Sequence, residues 1–263
     1  MNKKVLNIIN LKNKKKLVCL TAYSKPIAKV LDNYCDVILV GDSLATAMYG
    51  MKNTHSVSIE TMINHGLSVA SSINKALCVV DMPAGSYKDK SAAKKNAKLI
   101  IKKTKCDAVK MECNNKNYHI IKSVVDSGIP VMGHIGFTPQ YYKKFKAQGL
   151  DQKDRVKLID QAKKNQDAGV FSIVLECVKT DVAKEITNIL KIPTIGIGAS
   201  KFCDGQILVT DDMLGLSGFY PKFVKKYANL NRIIEKAIKK YTRDVKLEKF
   251  PSNKNFLNGT KLR

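Results

Sequence analysis

Tryptophan is absent from this 263-residue chain, aromatic residues make up only 7% of it, and Asp plus Glu number 22 against 46 Lys plus Arg. The shortage of acids leaves a formal charge of +24, which alone would raise nucleic acid as a partner. Yet the lysines are scattered along the whole chain among abundant Asn and Ile, the mark of a lysine-biased proteome rather than of one binding face. No nucleic-acid partner is expected, and the remaining use of the charge is to steer an anionic substrate. No apolar run approaches the roughly 18 residues that span a bilayer, so no membrane partner is expected either. The start, MNKKVLNIINLKNKKKLVCL, is basic but has no long apolar stretch closed by a small-residue cleavage site. That argues against an export signal and for the cytoplasm. The seven cysteines are odd in number and never in a CxxC or Cys/His metal spacing, which argues for reduced structural thiols. No GxGxxG follows the first apolar run and no GxSxG elbow occurs, which weakens a dinucleotide fold and a serine hydrolase.

What is present is alternation. Continuous apolar runs rich in Val and Ile occupy 17–23, 36–42, 77–83, 108–113, 129–136, 171–177, 192–199 and, more weakly, 206–210. Amphipathic segments separate them, at 24–34, 58–74, 91–104, 116–128, 153–169 and 180–190, with one more at 221–241. Strand following helix in this way predicts a parallel sheet, and runs apolar throughout suit strands covered on both faces. About eight units in about 200 residues favour a closed (βα)8 barrel over a doubly wound sheet. The expectation is one barrel domain over 1–263, with an irregular tail from about residue 246. The glycines of IGIGAS (195–200) read either as an anion cradle or as simple close packing.

The strand ends carry the chemistry. The second run stops on Asp42, the third on Asp81, the fourth carries Lys110 and Glu112, the fifth His134, and the sixth Glu176. In a barrel the carboxyl ends of the strands meet at one mouth, where such folds build active sites. Any one of these residues alone reads as a cap, a surface ion pair or a satisfied histidine. Five consecutive strands repeating the pattern predict a site. Asp42, Asp81 and Glu112 are hard oxygen ligands suited to Mg²⁺ or another oxygen-preferring cation, and three carboxylates crowded without a cation would raise one another's pKa. A 2-oxo acid would chelate such an ion, which would stabilise its enolate. Lys110, two residues from Glu112 and so on the same strand face, would hold the substrate carboxylate. Glu176 is the candidate general base, and His134 would orient substrate. Ser43 reads as a helix cap or a carboxylate contact. His55, His65 and His119 have no partner at metal-ligand spacing, and Asp204, Asp211 and Asp212 read as loop and capping acids.

The wording of these segments also carries a resemblance. TAYSKPIAKVLD, DVILVGDSL, VVDMPAGSY, AVKMEC, PVMGHIGFTPQ, FSIVLECV, IPTIGIGAS, CDGQILVTDDMLGL and PKFVKKYA resemble, in this order over about 17–228, the signature segments of the ketopantoate hydroxymethyltransferases. The resemblance implies a (βα)8 TIM barrel of the phosphoenolpyruvate/pyruvate type in a homo-oligomer, commonly a decamer. It implies transfer of a hydroxymethyl group from 5,10-methylenetetrahydrofolate, the co-substrate, to 3-methyl-2-oxobutanoate in pantothenate synthesis. It implies one Mg²⁺ per subunit on Asp42 and Asp81, with Glu112 a third acidic group acting through water. Asp42, Ser43, Asp81 and Lys110 resemble the oxo-acid contacts, Glu176 the proton acceptor and His134 a further site residue. Ala45 stands where the family often has glycine. The alternatives are a Mg-dependent lyase or mutase of the same superfamily acting on another 2-oxo acid, which would need no one-carbon donor, and a basic nucleic-acid binder resting on charge alone.

Overall fold

A computed structural model describes residues 2–114, 116–142, 146–218 and 220–256. Among the described residues the apolar runs form β1 (Leu17–Thr21), β2 (Val37–Val40), β3 (Leu77–Asp81), β4 (Ala108–Glu112), β5 (Val131–Gly136), β6 (Ser172–Glu176), β7 (Thr194–Ile197) and β8 (Gly205–Leu208). Each pairs in parallel with the next, and β8 returns to β1, so the sheet closes into a barrel. Between them lie α2 (Lys25–Leu31), α3 (Leu44–Ala47), α4 (Ile59–Ala70), α5 (Lys90–Thr104), α6 (Tyr118–Asp126), α7 (Gln152–Asp167) and α8 (Thr180–Ile189), and α9 (Thr210–Met213) follows β8. Helix α1 (Lys3–Asn10) precedes the barrel and α10 (Leu230–Lys246) follows it.

Strand geometry sorts the side chains into two cores, because successive residues point to opposite faces. Leu17, Val37, Leu39, Val79, Ala108, Met132, Val174, Ile195 and Ile207 pack together inside the barrel. Ile38, Val40, Cys78, Val80, Val109, Ile135, Ile173 and Leu175 point outward and pack against the helices. Val5 and Ile8 of α1 join the inner cluster, so this helix plugs the floor of the barrel. Fully burying each such aliphatic side chain contributes roughly 1.5–3 kcal/mol. The helices start where side chains accept orphan backbone N–H groups: Ser58 from Thr61, Asp89 from Ala92, and Asp151 from Asp154.

Two segments differ from expectation. Helix α1 lies within the stretch weighed only as an export signal. The helix expected over 221–241 begins at Leu230, because the preceding chain is tied to α9 by Tyr227 N–H donating to Met213 O and Leu230 N–H to Leu214 O. Phe223 and Val224, apolar at helical spacing, are used instead as walls of the cavity above the barrel. The glycines of IGIGAS serve close packing: a Cβ on Gly196 would lie 3.1 Å from Cys203 Sγ, and one on Gly198 2.6 Å from the Phe223 ring. The tail from about residue 246 falls partly on 257–263, outside the described residues. The described part holds one 3₁₀ turn at Asn253–Asn255.

Candidate active site

The inward-facing series of each strand turns from apolar to ionisable at the top of the barrel. Val79 is followed two residues on by Asp81, Ala108 by Lys110 and then Glu112, Met132 by His134, and Val174 by Glu176. Register completes the convergence, since Asp81 pairs with Lys110, Glu112 with His134, and Gly136 with Glu176. Gly136 has φ +95, and a Cβ there would collide with the Glu176 carbonyl oxygen. A glycine is therefore required where β5 and β6 part beside the site.

Asp42, Asp81, Lys110, Glu112, His134 and Glu176 line one cavity of about 510 Å³. Lys110 Nζ lies 2.5 Å from Asp81 Oδ1, and Asp81 Oδ2 accepts the backbone N–H of Asp42 at 2.9 Å. Burial alone would lower the Lys110 ammonium, but Asp81, Asp42 and Glu112 around it outweigh burial and keep it charged. Burial, then the neighbouring Asp81 carboxylate, pushes Asp42 up to about 7, against the pull of Lys110 and Gln140. Burial and Asp42 likewise hold Glu112 well above the usual carboxylate range. Glu176 is pushed up to about 8, mainly by burial. His134 Nε2 stands 3.2 Å from Glu176 Oε2, and its Nδ1 3.6 Å from Glu112 Oε1. This is no ion pair: burial, then Lys110, pushes the imidazole down to about 3, so it is neutral between the two carboxyl groups.

Ser43 occupies the N-cap position of α3 but does not cap with its side chain; its Oγ meets Tyr23 Oη at 2.8 Å on the cavity wall. His55, His65 and His119 do not join the cluster. His55 Nε2 bonds Pro139 O, and His65 bridges Tyr23 O and Tyr49 Oη. Asp204 lies at the opposite end of the barrel, whereas Asp212 lines the cavity. Residue types alone missed Gln140. Its Nε2 donates to Asp42 Oδ2 at 2.8 Å and to Met82 O at 3.0 Å, its backbone N–H donates to Glu112 Oε2 at 3.0 Å, and its Oε1 accepts from Tyr87. Gln140 thus holds two repelling carboxylates in place. Its place in the PVMGHIGFTPQ segment, just beyond His134, is the signal that could have found it.

Four buried carboxylates share a single lysine here, so the donor set fits a hard divalent cation. Among the described residues no three His, Cys, Asp or Glu side chains converge closely enough to enclose an ion by themselves.

Comparison with known proteins agrees with this geometry. Among solved structures, a phosphonopyruvate hydrolase in complex with oxalate and Mg²⁺ superposes with a TM-score of 0.60 at 12% identity, covering 96% of this chain and 93% of that one. A 2,3-dimethylmalate lyase of the PEP mutase/isocitrate lyase superfamily gives 0.61 at 10% identity, covering 97% and 89%. At these identities the likeness establishes the fold alone, a TIM barrel. In sequence, a 3-methyl-2-oxobutanoate hydroxymethyltransferase of Pelagibacter ubique is 50% identical over 255 residues, 97% of this chain and 99% of that protein. One from Anaplasma marginale is 47% identical over 266 residues, 98% and 96% of the two chains. The family pattern for ketopantoate hydroxymethyltransferase matches residues 2–253, and the chain belongs to that family.

Proposed function

We propose that this chain transfers a hydroxymethyl group from 5,10-methylenetetrahydrofolate to 3-methyl-2-oxobutanoate, giving 2-dehydropantoate and tetrahydrofolate. The observation that carries the reading is the mouth of the barrel, where Asp42, Asp81, Glu112 and Glu176 surround Lys110 in one cavity. A Mg²⁺ held by Asp42 and Asp81, with Glu112 the third acidic group, supplies Lewis-acid polarisation of the oxo acid's carbonyl when bound. Lys110 and Ser43 hold the oxo acid's carboxylate. Glu176 takes the proton from C3, leaving the electron pair of that C–H bond to form the enolate, which attacks the one-carbon unit. A water molecule supplies the hydroxyl oxygen, and the bonds from that carbon to the two folate nitrogens break, with protons returning to the nitrogens to give tetrahydrofolate. Burial places the Glu176 carboxyl near working pH, where a general base combines strength with availability. His134, neutral and with neither ring nitrogen hydrogen-bonded among the described residues, orients the substrate. Gln140 keeps Asp42 and Glu112 from splaying apart.

The test is 2-dehydropantoate formation with and without Mg²⁺ and methylenetetrahydrofolate. Product is expected only when both are present, and oxo-acid turnover without the donor would point to a lyase instead. Isotope exchange at C3 of 3-methyl-2-oxobutanoate isolates the first step, and normal exchange in Glu176→Gln would remove Glu176 as the base.

The same reading makes the chain a cytoplasmic homo-oligomer, a decamer in the family resemblance. Helix α10 supports association: Ile233, Ile234, Ile238, Tyr241 and Val245 form an apolar stripe, Ile238 is 58% exposed, and the helix buries no residue within its own chain. Light scattering is expected to return a multiple of the 29.2 kDa subunit mass.

A further inference from the structure

The cavity is divided. One arc, from β2 to β6, carries the ionisable groups, while the arc from β7 through β8 is aliphatic, with Ile197, Ile207 and Leu208 at its strand ends. Above that second arc stand Phe223 and a single carboxylate, Asp212. A volume of 510 Å³ falls in the range that encloses drug-sized ligands, so a five-carbon oxo acid on the polar arc leaves the other arc free for a larger molecule. We propose that the aliphatic arc is the subsite for the pterin ring of the one-carbon donor. In it the Asp212 carboxylate accepts from the two adjacent N–H donors of the 2-amino-4-oxopyrimidine edge, and Phe223 supports the ring face.

This rests on the reading that the donor is a reduced folate. Three observations support the subsite itself. Asp212 is half-buried, accepts from Ser217 and forms no ion pair with Lys, Arg or His among the described residues. A carboxylate without a cation, set in apolar walls, recognises a pair of parallel N–H donors, the geometry that favours two-pronged hydrogen bonding. Phe223 packs its ring on Gly198, where an added Cβ would lie 2.6 Å from it, so only glycine admits the ring there. A ring so packed offers a flat face to a flat heterocycle. From the β2 side, Thr54 lines the same cavity at 6% exposure, and its hydroxyl has no hydrogen-bond partner among the described residues. A buried hydroxyl in that condition calls for a ligand atom.

Tetrahydrofolate is titrated calorimetrically into the full chain with Mg²⁺ and 3-methyl-2-oxobutanoate present, with melting curves as the check on folding. Asp212→Ala and the near-isosteric Asp212→Asn are each expected to weaken tetrahydrofolate binding by about tenfold or more, Phe223→Ala by a similar factor and Thr54→Val by about threefold. Affinity for the oxo acid is expected to stay within about twofold in the Asp212 variants. A pterin analogue lacking the 2-amino group is expected to bind worse than its parent to the wild type but equally to Asp212→Ala, a pattern a merely structural role would not give. Unchanged tetrahydrofolate binding in both Asp212 variants, or parallel loss of both ligands, would overturn the proposal. A wild-type chain that binds no tetrahydrofolate would overturn the folate reading itself, and the subsite with it.

Discussion

The two ends of the barrel use the same residue types under opposite conditions. At the floor, carboxylates are satisfied: Asp36 Oδ2 accepts from Val18 N–H, Asp107 Oδ2 from Cys78 N–H, and Asp204 Oδ2 from Thr194 N–H, each at 2.9 Å. Lys15, Lys4 and Lys12 stand beside them. Asp32, nearby, is pushed up by burial but held below the usual range by the N–H groups of Ala76, Asn74 and Lys75. At the mouth, Asp42, Glu112 and Glu176 are raised instead, with Lys110 shared among them. The floor's acids hold strand starts together, while the mouth's acids, raised by burial and crowding, carry the mark of groups suited to chemistry.

The comparison breaks if exchanging acids at the two ends has the same effect. Glu176→Gln is expected to lower turnover by about 10²–10⁴-fold, the usual worth of a general base, while the melting temperature holds or rises. Asp204→Asn leaves Lys12 buried without its partner, and is expected to cost about 3–5 kcal/mol in urea unfolding while the folded fraction keeps its turnover.

The pH dependence sharpens the contrast. Asp42 and Glu176 titrate at about 7 and about 8 when folded, above ordinary carboxylate values. The folded metal-free chain therefore keeps protons that the unfolded chain has already released. Their contribution to stability is full below about pH 4 and is lost as pH rises through 7 to 8. Urea midpoints of metal-free protein at pH 5 and pH 8.5 are expected to fall with pH, with a shallower fall in Glu176→Gln and Asp42→Asn. Smallest of all is Asp126→Asn, which removes an exposed pair with Lys122 on α6; its melting temperature is expected to move by less than about 2 °C.

Much of this was legible in the residues because buried parallel strands are apolar throughout. Val37–Val40 and Leu77–Asp81 declare themselves by composition, and the first ionisable residue after each run marks the mouth. Gln140 was not legible, since an uncharged loop residue shows its role only when the loop folds back over Asp42 and Glu112. Asp212 was read as a capping acid, and its place on the cavity wall depends on how the chain after β8 turns. Phe223 and Val224 misled by helical spacing, because a wall of a cavity and the buried face of a helix need the same side chains. Helix α1 was passed over because its basic start was weighed only as an export signal, although Val5, Ile8 and Ile9 stand at helical spacing.

That short helix has a kinetic consequence. With Val5 and Ile8 packed into the inner cluster, side chains fill the floor of the barrel, and the cavity lies at the other end, where the strands finish. On the function proposed above, an oxo acid seated beside Lys110 would arrive before the bulky donor covers it, and its adduct would depart after the spent donor. Such a queue, first in and last out, would make 2-dehydropantoate compete directly with 3-methyl-2-oxobutanoate for the empty enzyme.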